Sequence, residues 1–175
     1  LKMMNDSKAR YGSITRFFHW SMAILVGWQF LKFFDRINNG EHWVGETLVP
    51  WHISIGSLLL VLIVLRLGWA VKEKGNRSEH ESIIGVLAKI GHGLLYAALV
   101  LMPVTGICYM VGNGYGLSAF NLEVIAKGEE VSWLINIGNL HSYIAWGLLF
   151  LVAGHIGMAF IHQFIIKDGT LKRMM

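Results

Sequence analysis

Cysteine is almost missing from this chain of 175 residues. Cys108 stands alone inside an apolar run, which excludes an intramolecular disulfide and any cysteine-based metal cluster. Charge is scarce as well: Asp, Glu, Lys and Arg make up 15% of residues, against about 25% in soluble domains. No H-E-x-x-H segment is present, so a zinc hydrolase has no motif to stand on. Missing charge concentrates in four stretches, 17–31, 47–65, 90–122 and 131–166, none of which contains Asp, Glu, Lys or Arg. A membrane-spanning helix needs about 20 mainly apolar residues. The first stretch reaches that length if Lys32 snorkels and Phe33 and Phe34 extend it.

These runs predict an all-α, integral-membrane four-helix bundle, a single membrane domain over residues 1–175. Its spans are expected at about 17–34, 50–71, 83–111 and 133–166. An even number of spans leaves both termini on one side, and basic residues mark that side as cytoplasmic. Lys2, Lys8, Arg10, Arg16, Arg66, Lys72, Lys74, Arg77, Lys89, Lys167, Lys172 and Arg173 fall there, whereas Lys32, Arg36 and Lys127 fall outside. The net charge of +4 follows from this asymmetry and from anionic lipid headgroups, and gives no reason to invoke nucleic acid. The first apolar run begins after Arg16 and is rich in aromatics, so it reads as a retained span in place of a cleaved signal.

Gly and Asn punctuate two outer connections, at about 35–49 and 112–132, which read as loops. The inner connection, 72–82, is the most polar segment. Pro103 lies within the third span, where a membrane helix tolerates a kink if neighbours satisfy the freed carbonyl. Trp43, Trp51, Trp69 and Trp133 fall near the interfaces as an aromatic belt.

Histidine is what the apolar runs do contain. His141 and His155 are fourteen residues apart, a rotation of about 1400°, which is four turns less about 40°, with about 21 Å of rise. Both imidazoles therefore point from one face of the last span, one near each side of the bilayer. His19 sits at the cytoplasmic end of the first span, and His52 opens the second span from outside. Depth thus pairs His19 with His155 and His52 with His141. Histidine at membrane depth faces the bundle interior with a partner, and two opposed imidazoles suit a haem with no open iron position, built for one-electron transfer. Ligands about 21 Å apart cannot share one zinc ion. No C-x-x-C-H is present, so the two haems expected here are b-type and held without covalent bonds. A haem-free proton relay or transporter would also use such histidines.

Other residues take supporting places around these pairs. Gly56, one turn below His52 on the same face, leaves room for a flat macrocycle or for plain helix packing. Arg66 follows His52 by fourteen residues and reaches the inner haem level, where it faces a haem propionate or snorkels to the interface. Arg16 and Lys89 carry the same two readings. His162, two turns beyond His155, is placed to hydrogen-bond and exchange protons with a quinone. His92 reads as structural or proton-handling, because four other histidines complete two pairs. His42 and His80 fall in loops and read as solvated.

With these residues in place the chain resembles the bacterial cytochrome b561 family, which includes superoxide oxidase. The matching segments are Tyr11-Gly-Ser-Ile-Thr-Arg-Phe-Phe-His-Trp, His52-Ile-Ser-Ile-Gly with Leu65-Arg-Leu, Gly91-His-Gly-Leu-Leu-Tyr with Met102-Pro-Val-Thr-Gly, His141, and Gly154-His leading to His162 and Lys167-Asp-Gly-Thr-Leu-Lys-Arg-Met. They span nearly the whole chain.

The resemblance implies a diheme cytochrome b of the bacterial inner membrane, with His19 and His155 on the cytoplasmic haem and His52 and His141 on the outer one. In the superoxide-oxidising branch, superoxide gives up its electron at the outer face and ubiquinone receives it, with quinone near the position matching His162. Other members exchange electrons between quinol and further acceptors, and the alternative reading is an electron-relay or anchor subunit for a protein redox partner. Asp35, Glu41, Glu46, Glu123, Glu129 and Glu130 make the outer face net acidic. Steering of an anion there requires Lys32 or Arg36 to sit locally over the haem edge.

Overall fold

The computed structural model describes residues 4–77 and 82–175. Among the described residues six α-helices form the frame: α1 (Ser13–Phe30), α2 (Trp43–Thr47), α3 (His52–Lys72), α4 (Ile83–Gly112), α5 (Ser132–Gly138) and α6 (His141–Phe160). Ser82 starts α4 by accepting a hydrogen bond from the Gly85 N–H at 3.1 Å, an N-cap that satisfies one otherwise orphaned donor. Helix α4 packs against α3 on one side and against α5 and α6 on the other, while α1 packs on α3.

Among the described residues three helical stretches are long and apolar enough to cross a membrane: Trp43–Lys72, Ile83–Gly112 and Ser132–Ile166. Few of their side chains are buried by protein, and Val71, Phe150 and Ile165 are among many large apolar groups left open. Exposed hydrophobic surface on this scale is what lipid-facing helices present. Protein-buried packing concentrates between α1 and α3, where Met22, Val26, Ile55, Leu59 and Ile63 form one cluster with Tyr96, Leu99 and Val152 against it.

Two departures from the sequence reading stand out. The charge-free run 131–166 is not one rod: α5 ends at Gly138, α6 begins at His141, and residues Ile161–Ile166 follow as a π-helix. Gly138 lies against the backbone of Tyr109, an approach that a Cβ would block, so the bend lets the chain close onto α4. The outer connection expected as a loop carries an antiparallel hairpin, β1 (Leu117–Ala119) with β2 (Leu122–Ile125), a small exception to the all-α class. Phe120 and Asn121 turn it with φ of 49° and 63°, and the Phe120 N–H donates to Ser54 Oγ at 2.9 Å, pinning the hairpin onto α3.

At the opposite end the two terminal segments are tied together. Tyr11 N–H donates to the Arg173 carbonyl at 3.0 Å, Arg10 Nη2 to the Met175 carbonyl at 2.7 Å, and Trp20 Nε1 to the Met174 carbonyl at 3.0 Å. Buried Asp6 pairs with Arg77 at 2.8 Å and accepts from Gly12 N–H, while its own N–H donates to buried Glu73. The start of the chain, the end of α3 and the tail therefore meet at one end of the bundle.

Candidate functional site

The predicted pairs come together. His52, the first residue of α3, and His141, the first of α6, have ring centroids 6.1 Å apart. His19 on α1 and His155 on α6 have theirs 6.0 Å apart. Two metal–nitrogen bonds of about 2 Å with two ring half-widths of about 1 Å span roughly 6 Å, so each pair is spaced to share one metal ion. Among the described residues no group of three His, Cys, Asp or Glu side chains is placed to hold a metal. Two imidazoles per ion leave the other ligands to a macrocycle, which is the donor set of a haem.

The pair His52 and His141 is held from behind. His141 Nδ1 donates to the Met102 carbonyl at 2.9 Å and lies 3.2 Å from Thr105 Oγ1. A carbonyl only accepts, so the proton sits on Nδ1 and Nε2 is left as the ligating atom, the arrangement in which metal-bound histidines are oriented. Thr105 is almost completely buried and is itself anchored on the Leu101 carbonyl at 2.7 Å. A Cβ at Gly106 would lie 3.1 Å from His141 Cε1, so any side chain there would press the ring by a few tenths of an ångström. Sequence reasoning kept the Met102-Pro-Val-Thr-Gly segment as a family match and missed that it cradles a histidine; Pro103 in an otherwise regular helix was its one local signal.

A cavity of about 270 Å³ opens beside this pair, lined by His52, His141, Gly56 and Gly106 together with Lys32 and Arg36. Gln29 Oε1 and His52 Nδ1 are buried without a hydrogen-bond partner. Such orphaned polar atoms are costly unless a further group meets them, which fits a bound cofactor. Gly56 lines the cavity, with Gln29 Nε2 3.1 Å from where its Cβ would lie. Lys32 pairs with Asp35 at 2.5 Å, whereas Arg36 stacks over Phe33 and Trp146 at 5.6 and 5.2 Å and makes no ion pair among the described residues.

At the pair His19 and His155, Arg66 Nη2 lies 3.5 Å from His19 Nδ1, and its guanidinium sits over the Tyr96 ring at 5.4 Å. Arg66 meets no carboxylate among the described residues, which leaves it free for an anionic group such as a propionate. His92 approaches His155 to 5.5 Å between ring centroids, closer to that pair than its setting-aside in the sequence implied.

Arg16 donates to the Met175 carbonyl and so ties down the tail. His42 is not simply solvated: its Nδ1 accepts from Gly45 N–H at 3.0 Å as the N-cap of α2, and its Nε2 donates to the Phe34 carbonyl at 2.9 Å. The expectation for His80 lies outside the described residues. His162 Nδ1 lies 2.6 Å from Asp168 Oδ2, a partner the helical phase gave no hint of. The Thr170 N–H, which donates to Asp168 at 2.9 Å, and then His162 hold the Asp168 carboxyl at a pKa of about 2, below its ordinary value.

A membrane helix bundle that brings imidazoles together in pairs 6.0 and 6.1 Å apart has the spacing a b-type membrane cytochrome requires. The chain belongs to the prokaryotic cytochrome b561 family, whose model matches residues 10–175. It is 32% identical to cytochrome b561 homolog 2 of Escherichia coli (strain K12), over 97% of this chain and 93% of that protein. It is also 26% identical to cytochrome b562 of Cereibacter sphaeroides, over 90% and 89% of the two chains, and 24% identical to a protein of Yersinia pestis named probable superoxide oxidase CybB, over 95% and 96%. Family membership makes this a b-haem protein of membrane electron transfer, crossing the bacterial inner membrane more than once.

Proposed function

We propose that the chain is a diheme cytochrome b that takes electrons from superoxide at the outer face and delivers them to ubiquinone at the inner leaflet. The observation that carries the reading is the pair of imidazole clamps, His52 with His141 and His19 with His155, each about one metal ion wide. A haem iron between two imidazoles supplies one-electron chemistry without an open coordination position. In this reading Gly56 leaves room for the outer macrocycle and Arg66 faces a propionate of the inner one. Two superoxide ions each lose one electron and leave as O₂, while ubiquinone takes both electrons and two protons to become quinol, with His162 at the quinone.

Four crossings with both termini cytoplasmic complete the proposal. It is supported by the hydrogen bonds that join residues 10–20 to residues 173–175 at the end where Arg66, Lys72 and Arg77 gather. The choice of an anionic donor is supported by Lys32 and Arg36 lining the cavity beside the outer histidines, the local basic patch that the acidic outer surface demanded.

A second reading, an electron-relay or anchor subunit for a partner redox protein, draws on the outer hairpin, where Leu122 and Val124 are 70% and 61% exposed. Purified protein separates the two. The first reading expects a haem-to-protein ratio near two by optical spectroscopy, loss of about half the haem in His141→Ala and in His155→Ala, and superoxide-dependent reduction of ubiquinone-1 well above the spontaneous rate. A ratio of one, or full haem in both variants, rejects the clamps. Full haem loading without superoxide-dependent reduction hands the role to the relay.

A further inference from the structure

Helix α6 does not stop at the membrane surface in ordinary α geometry. Ile161–Ile166 form a π-helix, and Lys167 reverses the chain with φ 57° and ψ 35°. Widened π turns re-aim side chains and recur at functional sites. Here the reversal folds Asp168 back onto His162, with Nδ1 and Oδ2 2.6 Å apart. The other carboxylate oxygen accepts from the Thr170 N–H at 2.9 Å, so the carboxylate is fixed from both sides.

An ionised carboxylate only accepts, so Nδ1 carries the proton and Nε2 remains for another partner. The His162 side chain is 17% exposed and that of Asp168 35%, which sets an enclosed imidazole behind a wetter carboxylate. Phe160 and Phe164 stack at 6.0 Å beside them in sequence, and both are exposed on the lipid-facing surface, an apolar approach suited to a ring that travels in the bilayer.

We propose that Asp168 is a positioning residue for proton delivery to quinone, holding His162 as the Nδ1–H tautomer with Nε2 presented to the quinone oxygen. This rests on the reading of His162 as the quinone contact. As the quinone gains the electrons that superoxide gives up in that reading, Nε2 of His162 takes a proton from water and passes it to the quinone oxygen, while Nδ1–H stays on Asp168. The ring is left as the neutral tautomer that the carboxylate holds. Two such deliveries with two electrons make quinol.

The test uses haem-loaded full-length protein reducing ubiquinone-1, with rates normalised to haem content, in Asp168→Asn, Asp168→Glu and His162→Gln. Expected are a fall in kcat of about tenfold or more in Asp168→Asn and His162→Gln with KM within about threefold, and recovery toward the parent rate in Asp168→Glu. Histidine ¹⁵N NMR of the parent chain expects the Nδ1–H tautomer at His162, a readout that needs no variant to fold. The Nε2–H tautomer there, or Asp168→Asn keeping the parent kcat while His162→Gln loses it, overturns the positioning role and leaves quinone at His162. Parent rates in all three variants overturn both.

Discussion

His141 Nδ1 donates to the Met102 carbonyl across 2.9 Å, at the residue before Pro103 and within reach of the Thr105 hydroxyl. The carbonyl that Pro103 leaves without an N–H partner is that of Leu99, four residues earlier in α4, so the bond from His141 is not a repair of the proline. A carbonyl has two lone pairs, and Met102 can accept from the imidazole without leaving the helix. The Met102 carbonyl and the Thr105 hydroxyl together fix the orientation of the ring. Thr105→Val keeps the side-chain volume and removes the hydroxyl. It is expected to loosen the outer haem by about tenfold in affinity and leave the inner haem in place, since outer-shell hydrogen bonds to ligating histidines are worth about 10–100-fold. A haem-release titration followed optically reads this, and equal loss from both levels would show that Thr105 serves the fold and not the ring.

Arg66 sets a positive charge against His19 without a carboxylate among the described residues to neutralise it. A nearby cation favours the reduced, less positive state of a redox centre, and the effect persists in a low-dielectric interior. Arg66→Met is therefore expected to lower the midpoint potential of the inner haem by ~tens of millivolts, with the outer haem shifting much less. A potentiometric titration that resolves the two haems decides it. An unchanged inner potential would mean that the guanidinium turns to the membrane surface instead.

The histidine pairs were legible because two quantities survive without coordinates: depth, set by where each apolar run begins, and phase, set by the turn of an α-helix. His19, His52, His141 and His155 needed nothing else. The break at Gly138 was hidden because residues on either side of it are equally apolar, and hydropathy is blind to backbone direction. The hairpin was hidden for a different reason: its turn uses Phe120 and Asn121 at positive φ, where glycine would have been the expected signal. Asp168 escaped because its contact with His162 depends on a π-helix and a left-handed Lys167, and neither follows from an i, i+7 count. Thr105 and Gly106 were read as a motif and not as a seat for His141, since contact between two helices leaves no trace in either one alone.

Arg36 makes the donor question testable. Its guanidinium rests on Phe33 and Trp146 at the cavity beside His52 and His141, while Lys32 is held by Asp35. Among the described residues the positive charge at this opening that no carboxylate neutralises therefore belongs to Arg36. Charge of one sign at a low-dielectric opening raises the encounter rate of an opposite ion, and salt suppresses that gain over a Debye length of about 10 Å at 0.1 M. Arg36→Glu is expected to lower the bimolecular rate with superoxide about tenfold at low ionic strength and to reverse the salt response, so that added salt speeds the variant while it slows the parent. Stopped-flow haem reduction at a series of salt concentrations measures both slopes. Parallel slopes would mean that the electron enters from an uncharged donor or a docked protein, and the exposed outer hairpin would then be the surface to map.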